Sequence, residues 1–175
     1  MLQLSRRETK ETCIDVVLET EGSGRIDVET EIELLDMILT SLGKGANFDL
    51  RIKARGDSVT GDHHTIEDTG ITLGKAIAQA KKSGIGSSTV PSSTALAVAA
   101  VRFGETGYRG AFSFKSESAG GMTLENFGHF LRALAYNGGF TLVISAEGGD
   151  DMSKIEAMST ALGRAIRRAW KDSEK

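Results

Sequence analysis

Asp62-His63-His64-Thr65-Ile66-Glu67-Asp68-Thr69-Gly70-Ile71 holds two of the chain's three histidines, and the rest of the sequence is read outward from it. Asp62 has the side chain of an N-cap, and Ile66, Leu73 and Ile77 recur at helical spacing, so a helix is predicted from about His63 to Lys82. Positions three and four apart are neighbours on a helix surface, which sets Glu67 beside both His63 and His64 on the first turn. Neutral imidazole and carboxylate suit a borderline divalent cation such as zinc or manganese. The same residues also suit a polar helix start facing water, because His-His-x-x-Glu lacks the full His-Glu-x-x-His signature. Asp68 suits either the positive helix N-terminus or a ligand.

Upstream, Thr12, Ile14, Val16 and Leu18 alternate with more polar residues, the mark of a strand with one buried face. Glu21-Gly22-Ser23-Gly24 reads as a turn and Arg25–Thr30 as the returning strand. Leu35, Ile38, Leu39 and Leu42 then mark a helix that Gly43 and Gly45 are expected to stop. Phe48, Leu50 and Ile52 restore strand alternation, and the loop Gly56–Gly61 leads into the helix at His63. This half reads strand, strand, strand, helix, strand, helix.

Downstream, Ser83–Ser93 is rich in glycine and serine, carries the single proline, Pro91, and is expected to be a junction. It suggests a first structural repeat over 1–83 and a second over 84–175, joined in one unit. Ala95–Phe103 and Arg109–Lys115 read as strands. Leu124, Phe127, Phe130, Leu131 and Leu134 mark a helix closed by Asn137-Gly138-Gly139, and the last helix runs from about Met152 to Trp170.

The halves also match residue by residue. A shift of 89 positions lays Asp62, Ile66, Glu67, Leu73, Gly74 and Ile77 on Asp151, Ile155, Glu156, Leu162, Gly163 and Ile166. A shift of 92 lays Leu39, Leu42, Phe48, Leu50 and Ile52 on Leu131, Leu134, Phe140, Leu142 and Ile144. The fold class expected is α+β, an internal duplication with two small sheets and helices packed between them. Glu67 and Glu156 become mates, Met37 pairs with His129, and Met152-Ser153 stands opposite His63-His64.

With 39% hydrophobic and 26% charged residues, the chain has the composition of an ordinary globular domain. Its net charge of −3 gives no global basic field for nucleic acid. Arg164, Arg167, Arg168 and Lys171 read as the solvated face and last turn of a helix. Cys13 is alone, which excludes a disulfide framework and points to a buried structural thiol. Neither a signal peptide nor an apolar run of membrane-spanning length is present, so the expectation is a cytoplasmic protein.

Several motifs resemble the imidazoleglycerol-phosphate dehydratase family: Arg7-Glu8-Thr9-Lys10-Glu11-Thr12, Asn47-Phe48-Asp49-Leu50, the whole Asp62–Ile71 stretch, His129–Leu134 and Lys154-Ile155-Glu156-Ala157. The resemblance implies a duplicated α+β fold assembling as a homo-oligomer, a 24-mer in the active family form. It also implies manganese held between subunits, a phosphorylated imidazole substrate, and metal-dependent dehydration in histidine biosynthesis. Carried over residue by residue, the metal ligands are His63, His64, Glu67, His129 and Glu156, and Glu11 is the acid–base group.

The sequence departs from that pattern at three ligand positions, which carry Met37, Met152 and Ser153 in place of histidine. Gly84–Ser88, Thr106 and Thr160 fall where the family has basic phosphate-binding residues. These departures imply a divergent paralogue with lost or altered activity. The alternatives are a working dehydratase with a reduced metal site, a single site serving another lyase or hydrolytic reaction, and a structural or regulatory homo-oligomer subunit.

Overall fold

The computed structural model describes residues 1–57 and 61–173, so residues 58–60 of the loop before His63 lie outside the described residues. Alternation along the first strands sorts side chains between core and solvent. β1 (Leu2–Glu8) and β2 (Thr12–Glu19) pair antiparallel, and Thr12, Ile14, Val16 and Leu18 all face inward. Cys13 therefore lies on the other face of β2, half-buried, and the expectation of a buried thiol is corrected.

β3 (Ile26–Glu29) leads into α1 (Glu33–Ala46), β4 (Asp49–Gly56) and α2 (His63–Gln79). The first sheet has the order β1-β2-β4-β3. β3 is not the return strand of a hairpin with β2, because β2 already pairs with β1 on one edge and β4 on the other. It runs parallel to β4 instead, from Ile26↔Leu50 to Glu29↔Lys53.

The second half repeats this plan. β5 (Ile85–Ser92), β6 (Ala95–Phe103), β7 (Gly107–Ala111), α3 (Glu125–Gly138), β10 (Phe140–Glu147) and α4 (Asp151–Asp172) give a sheet ordered β5-β6-β10-β7. Between β7 and α3 the chain adds the short hairpin β8 (Ser118–Ala119) and β9 (Met122–Thr123). The expected junction Ser83–Ser93 is thus an edge strand, where Pro91 removes a donor only from an unpaired side. Its glycine serves packing: a Cβ on Gly86 would lie 2.2 Å from the Ala165 carbonyl oxygen of α4.

Each sheet buries one face under its own two helices, and the two helical layers meet. α1 packs on α4 and α2 on α3. Glycines let these backbones approach: a Cβ on Gly163 would lie 2.1 Å from Leu42 O, and one on its mate Gly74 2.8 Å from Leu134 O. Gly43 and Gly45 do not stop α1. The helix runs through them to Ala46 and ends at Asn47, whose φ of 59° is left-handed. Phe48, Phe103, Phe140 and Trp170 form an aromatic cluster across the halves, with Phe48 and Trp170 ring centroids 5.1 Å apart.

Candidate metal centre

The first turn of α2 carries His63, His64 and Glu67, all half-buried. Asp62 precedes it but makes no capping bond, contrary to expectation. Its carboxylate reaches into the second half, accepting from Thr123 N at 2.8 Å and Asn126 Nδ2 at 3.3 Å. That bond orients the Asn126 amide, because a carboxylate only accepts. The oxygen of Asn126 must then face His63, and Asn126 Oδ1 lies 2.9 Å from His63 Nδ1. His63 Nδ1 carries the proton in this pair, and the lone pair of the neutral ring is left on Nε2. Glu67 Oε2 stands 3.3 Å from that Nε2.

His64 faces the loop between β1 and β2. Its Nδ1 abuts Glu11 Oε2, and this buried atom has no partner in full hydrogen-bond geometry among the described residues. The loop carrying Glu11 is tied down by Asp68, which is 9% exposed. Asp68 accepts from Arg7 Nε at 2.8 Å and Thr12 Oγ1 at 2.6 Å. Asp68 is therefore an anchor between α2 and the first two strands. A shallow cavity lined by Glu11, His64, Glu67 and Asp68 opens beside it.

His129, on α3, is exposed and sets its ring edge-on to His63 with centroids 5.2 Å apart. The structure thus brings together His63, His64, Glu67, Glu11 and His129. Glu156 is elsewhere: it lines a groove between α1 and α4, and its Oε2 accepts from Ser92 Oγ at 3.2 Å. Of the departures, Met152 and Ser153 lie four and three positions before Glu156 on α4. Met37 is half-buried against the core, with Ser41 Oγ 3.6 Å from its sulfur. Met152 is 43% exposed, so it is not a core residue.

As a metal site, the first location offers one ready chelating pair, His63 Nε2 and Glu67 Oε2 one helical turn apart. Among the described residues, no group of three or more His, Cys, Asp and Glu side chains in one chain stands in metal-holding geometry. The donor set fits half a coordination shell, the remainder needing donors from outside the chain. The second location presents Glu156 with thioether and hydroxyl groups, poor donors for a hard divalent cation. The part that Asn126 and Asp62 play in orienting His63 was not reached from the sequence, which read Asp62 as an N-cap. Their contacts span 63 and 61 positions, and nothing local marks them.

Comparison with known proteins supplies the frame for this geometry. The family model described as imidazoleglycerol-phosphate dehydratase matches residues 30–166. The chain is 40% identical to the imidazoleglycerol-phosphate dehydratase of Methanocella arvoryzae, covering 97% of this chain and 91% of that protein. It is 41% identical to that of Desulforudis audaxviator over 94% of this chain and 87% of the other. Among solved structures, the enzyme from Staphylococcus aureus superposes with a TM-score of 0.86 at 25% identity, covering 97% of this chain and 98% of that one. The Pyrococcus furiosus enzyme, solved in complex with (S)-C348, superposes with a TM-score of 0.82 at 30% identity, covering 97% and 95%. With the duplicated sheets, the helix pairing and the Asp62–Ile71 stretch all in place, the chain belongs to the imidazoleglycerol-phosphate dehydratase family.

Proposed function

We propose that this chain is a divergent paralogue that keeps the family scaffold and one metal-holding half-site, and has lost or altered the dehydratase activity. The observation that carries the reading is the contrast between the two pseudo-symmetric locations. His63 and Glu67 are set and oriented at the first, whereas at the second Met152 and Ser153 stand four and three positions before Glu156 on α4, and Met37 occupies the mate of His129.

His63 Nε2 and Glu67 Oε2 would hold the metal, with His64 and His129 beside them. Manganese bound there would supply a Lewis acid that favours the imidazolate form of a substrate ring. Asn126 fixes the His63 tautomer, as an outer-shell partner of a metal-binding histidine does. Glu11, against His64 in the loop that Asp68 ties down, would be the group that takes a carbon-bound proton. Gly84–Ser88, Thr106 and Thr160 offer no charge to a substrate phosphate at the family positions.

The partners that fit this reading are other copies of the chain, in a cytoplasmic homo-oligomer related to the family 24-mer. Leu2 and Leu4 on the first sheet and Val98 and Val143 on the second leave apolar side chains outward, between 41% and 61% exposed. Such faces suit subunit contacts. Among the described residues no helix is long and apolar enough to cross a membrane.

Turnover of imidazole glycerol phosphate with manganese present tests the proposal. Loss of even two of the charged phosphate contacts missing at these three places, Gly84–Ser88, Thr106 and Thr160, at about 1.5–3 kcal/mol each, predicts kcat/KM at least about 10²-fold below a complete family enzyme. A value within about tenfold would favour a working dehydratase with a reduced metal site, the reading that the oriented His63–Glu67 pair supports.

A further inference from the structure

Between β7 and α3 the chain runs as a strap, residues 112–124, that is hydrogen-bonded to the N-terminal ends of three helices. At α4 the Asp151 carboxylate accepts from Lys115 N at 2.9 Å and Ser116 N at 2.8 Å. At α1, Leu34 N donates to Gly120 O at 2.9 Å. At α2, Asp62 accepts from Thr123 N at 2.8 Å. Asp62 and Asp151 are mates in the repeat, so each half grips one end of the strap with the same residue.

Lys154 adds a grip that the repeat does not ask for. Its mate is the uncharged Thr65, yet Lys154 is 8% exposed and its Nζ donates to Ser113 O at 3.1 Å. Lysine is almost never this buried unless paired. Asp151, one helical turn before it on α4, supplies the opposite charge. The ammonium and the carboxylate thus hold the bend Ser113–Ser116 by its carbonyl and its amides. The bend is packed as well as bonded. Phe112 and Phe114 flank Ser113 in the chain, and both rings meet that of Phe127 on α3, with centroids 5.7 and 6.2 Å away. Phe127 is fully buried, and its chain neighbour is Asn126, the partner of His63.

We infer that Lys154 is a positioning residue for the metal half-site. Its ammonium fixes Ser113, the flanking phenyl rings fix Phe127, and Phe127 fixes the first turn of α3, from which Asn126 meets His63 Nδ1. Lys154 stands two positions before Glu156, so the second location braces the first. Contiguous packed and hydrogen-bonded groups carry coupling of this kind, and the outer partner of a metal-binding histidine sets its tautomer and orientation. The inference rests on reading His63 and Glu67 as a metal half-site, but its direct consequence, the His63 tautomer, exists without metal.

Nitrogen-edited proton spectra of the imidazoles test it, on metal-free protein at about pH 8, where an ordinary histidine is neutral. His63→Gln identifies the His63 signals. The parent is expected to show His63 protonated at Nδ1. Lys154→Met, an unbranched side chain without the charge, should shift His63 toward the Nε2-protonated form, and Lys154→Arg should restore the parent pattern. Asp151→Asn, which loosens the same bend, should act in the same direction. Manganese affinity should fall at least about threefold in Lys154→Met, and less than the about 10–100-fold expected of an outer-shell loss. Ser159→Ala removes another buried hydrogen bond of α4, from Oγ to Ile155 O at 2.7 Å, and should leave His63 as in the parent. Circular dichroism checks that each variant is folded. An unchanged His63 pattern in both Lys154→Met and Asp151→Asn, or an equal change in Ser159→Ala, would overturn the inference. Absence of manganese binding in a protein that shows these spectral changes would contradict the half-site reading and not the brace.

Discussion

Asn126 fixes the tautomer of His63 from the other half of the duplicated chain, with Oδ1 2.9 Å from Nδ1. The amide is itself oriented by Asp62, one residue before His63, so the two halves form a closed chain of hydrogen bonds at this point. The lone pair on His63 Nε2 and the Glu67 carboxylate are thereby presented together.

Removing the outer partner should therefore weaken metal binding without unfolding the chain. Outer-shell substitutions cost about 10–100-fold in metal affinity, and Asn126→Ala is expected to fall in that range. Competition with a fluorescent chelator measures it, and an unchanged affinity would mean that the tautomer is set otherwise.

At the second location the account predicts a gain. Met37→His, Met152→His and Ser153→His together restore imidazoles around Glu156, and the triple variant should bind about one more manganese ion per subunit than the parent. Met37 packs partly against the core, so its replacement is expected to cost about 1–2 kcal/mol. Metal content and a urea melt on the same preparation separate the two effects.

Asp151 gives a pH prediction. Its carboxylate accepts from Lys115 N at 2.9 Å and Ser116 N at 2.8 Å. These bonds, that of Lys115 foremost, hold its pKa below the usual carboxylate value. A group with a depressed folded pKa contributes stability that is whole above its unfolded pKa, about 4, and is lost as pH falls through the folded value. Asp151→Asn should be less stable at neutral pH by about 1–3 kcal/mol and lose less stability on acidification below about pH 4. Urea unfolding at several pH values shows whether the two curves converge in acid.

The helix crossings offer a packing prediction. Gly163→Ala would drive a methyl group into Leu42 O and Ala46 N, which a built Cβ approaches to 2.1 and 2.8 Å. Both contacts are backbone, so α1 and α4 must separate, at a cost of about 1–3 kcal/mol. Glycine to alanine by itself raises helix propensity, so a lowered midpoint in a thermal melt of this variant reports the crowding, and an unchanged or raised one would contradict it.

Periodicity made much of the fold legible. The inward sets Thr12–Leu18 and Phe48–Ile52 and the helical faces of α1 and α3 followed from spacing, and the repeat tied the halves together. Tertiary contacts overrode local signals elsewhere. Gly86 reads as loop but serves a strand against α4, and Gly43 and Gly45 read as a helix stop but lie inside α1. The pairing of β3 depended on β4 occupying the free edge of β2, which no local pattern announces. Of the site, the histidines and Glu67 were visible as a motif and Glu11 by resemblance. The separation of Glu156 from them follows from α4 packing on α1 while α2 packs on α3.

The most direct measurement is manganese per subunit by elemental mass spectrometry, on protein purified without chelators and incubated briefly with manganese, beside His63→Ala. The account predicts about one ion per subunit in the parent and near none in the variant. Two ions in the parent, none at all, or an unchanged content in His63→Ala would contradict a single retained site built on His63 and Glu67.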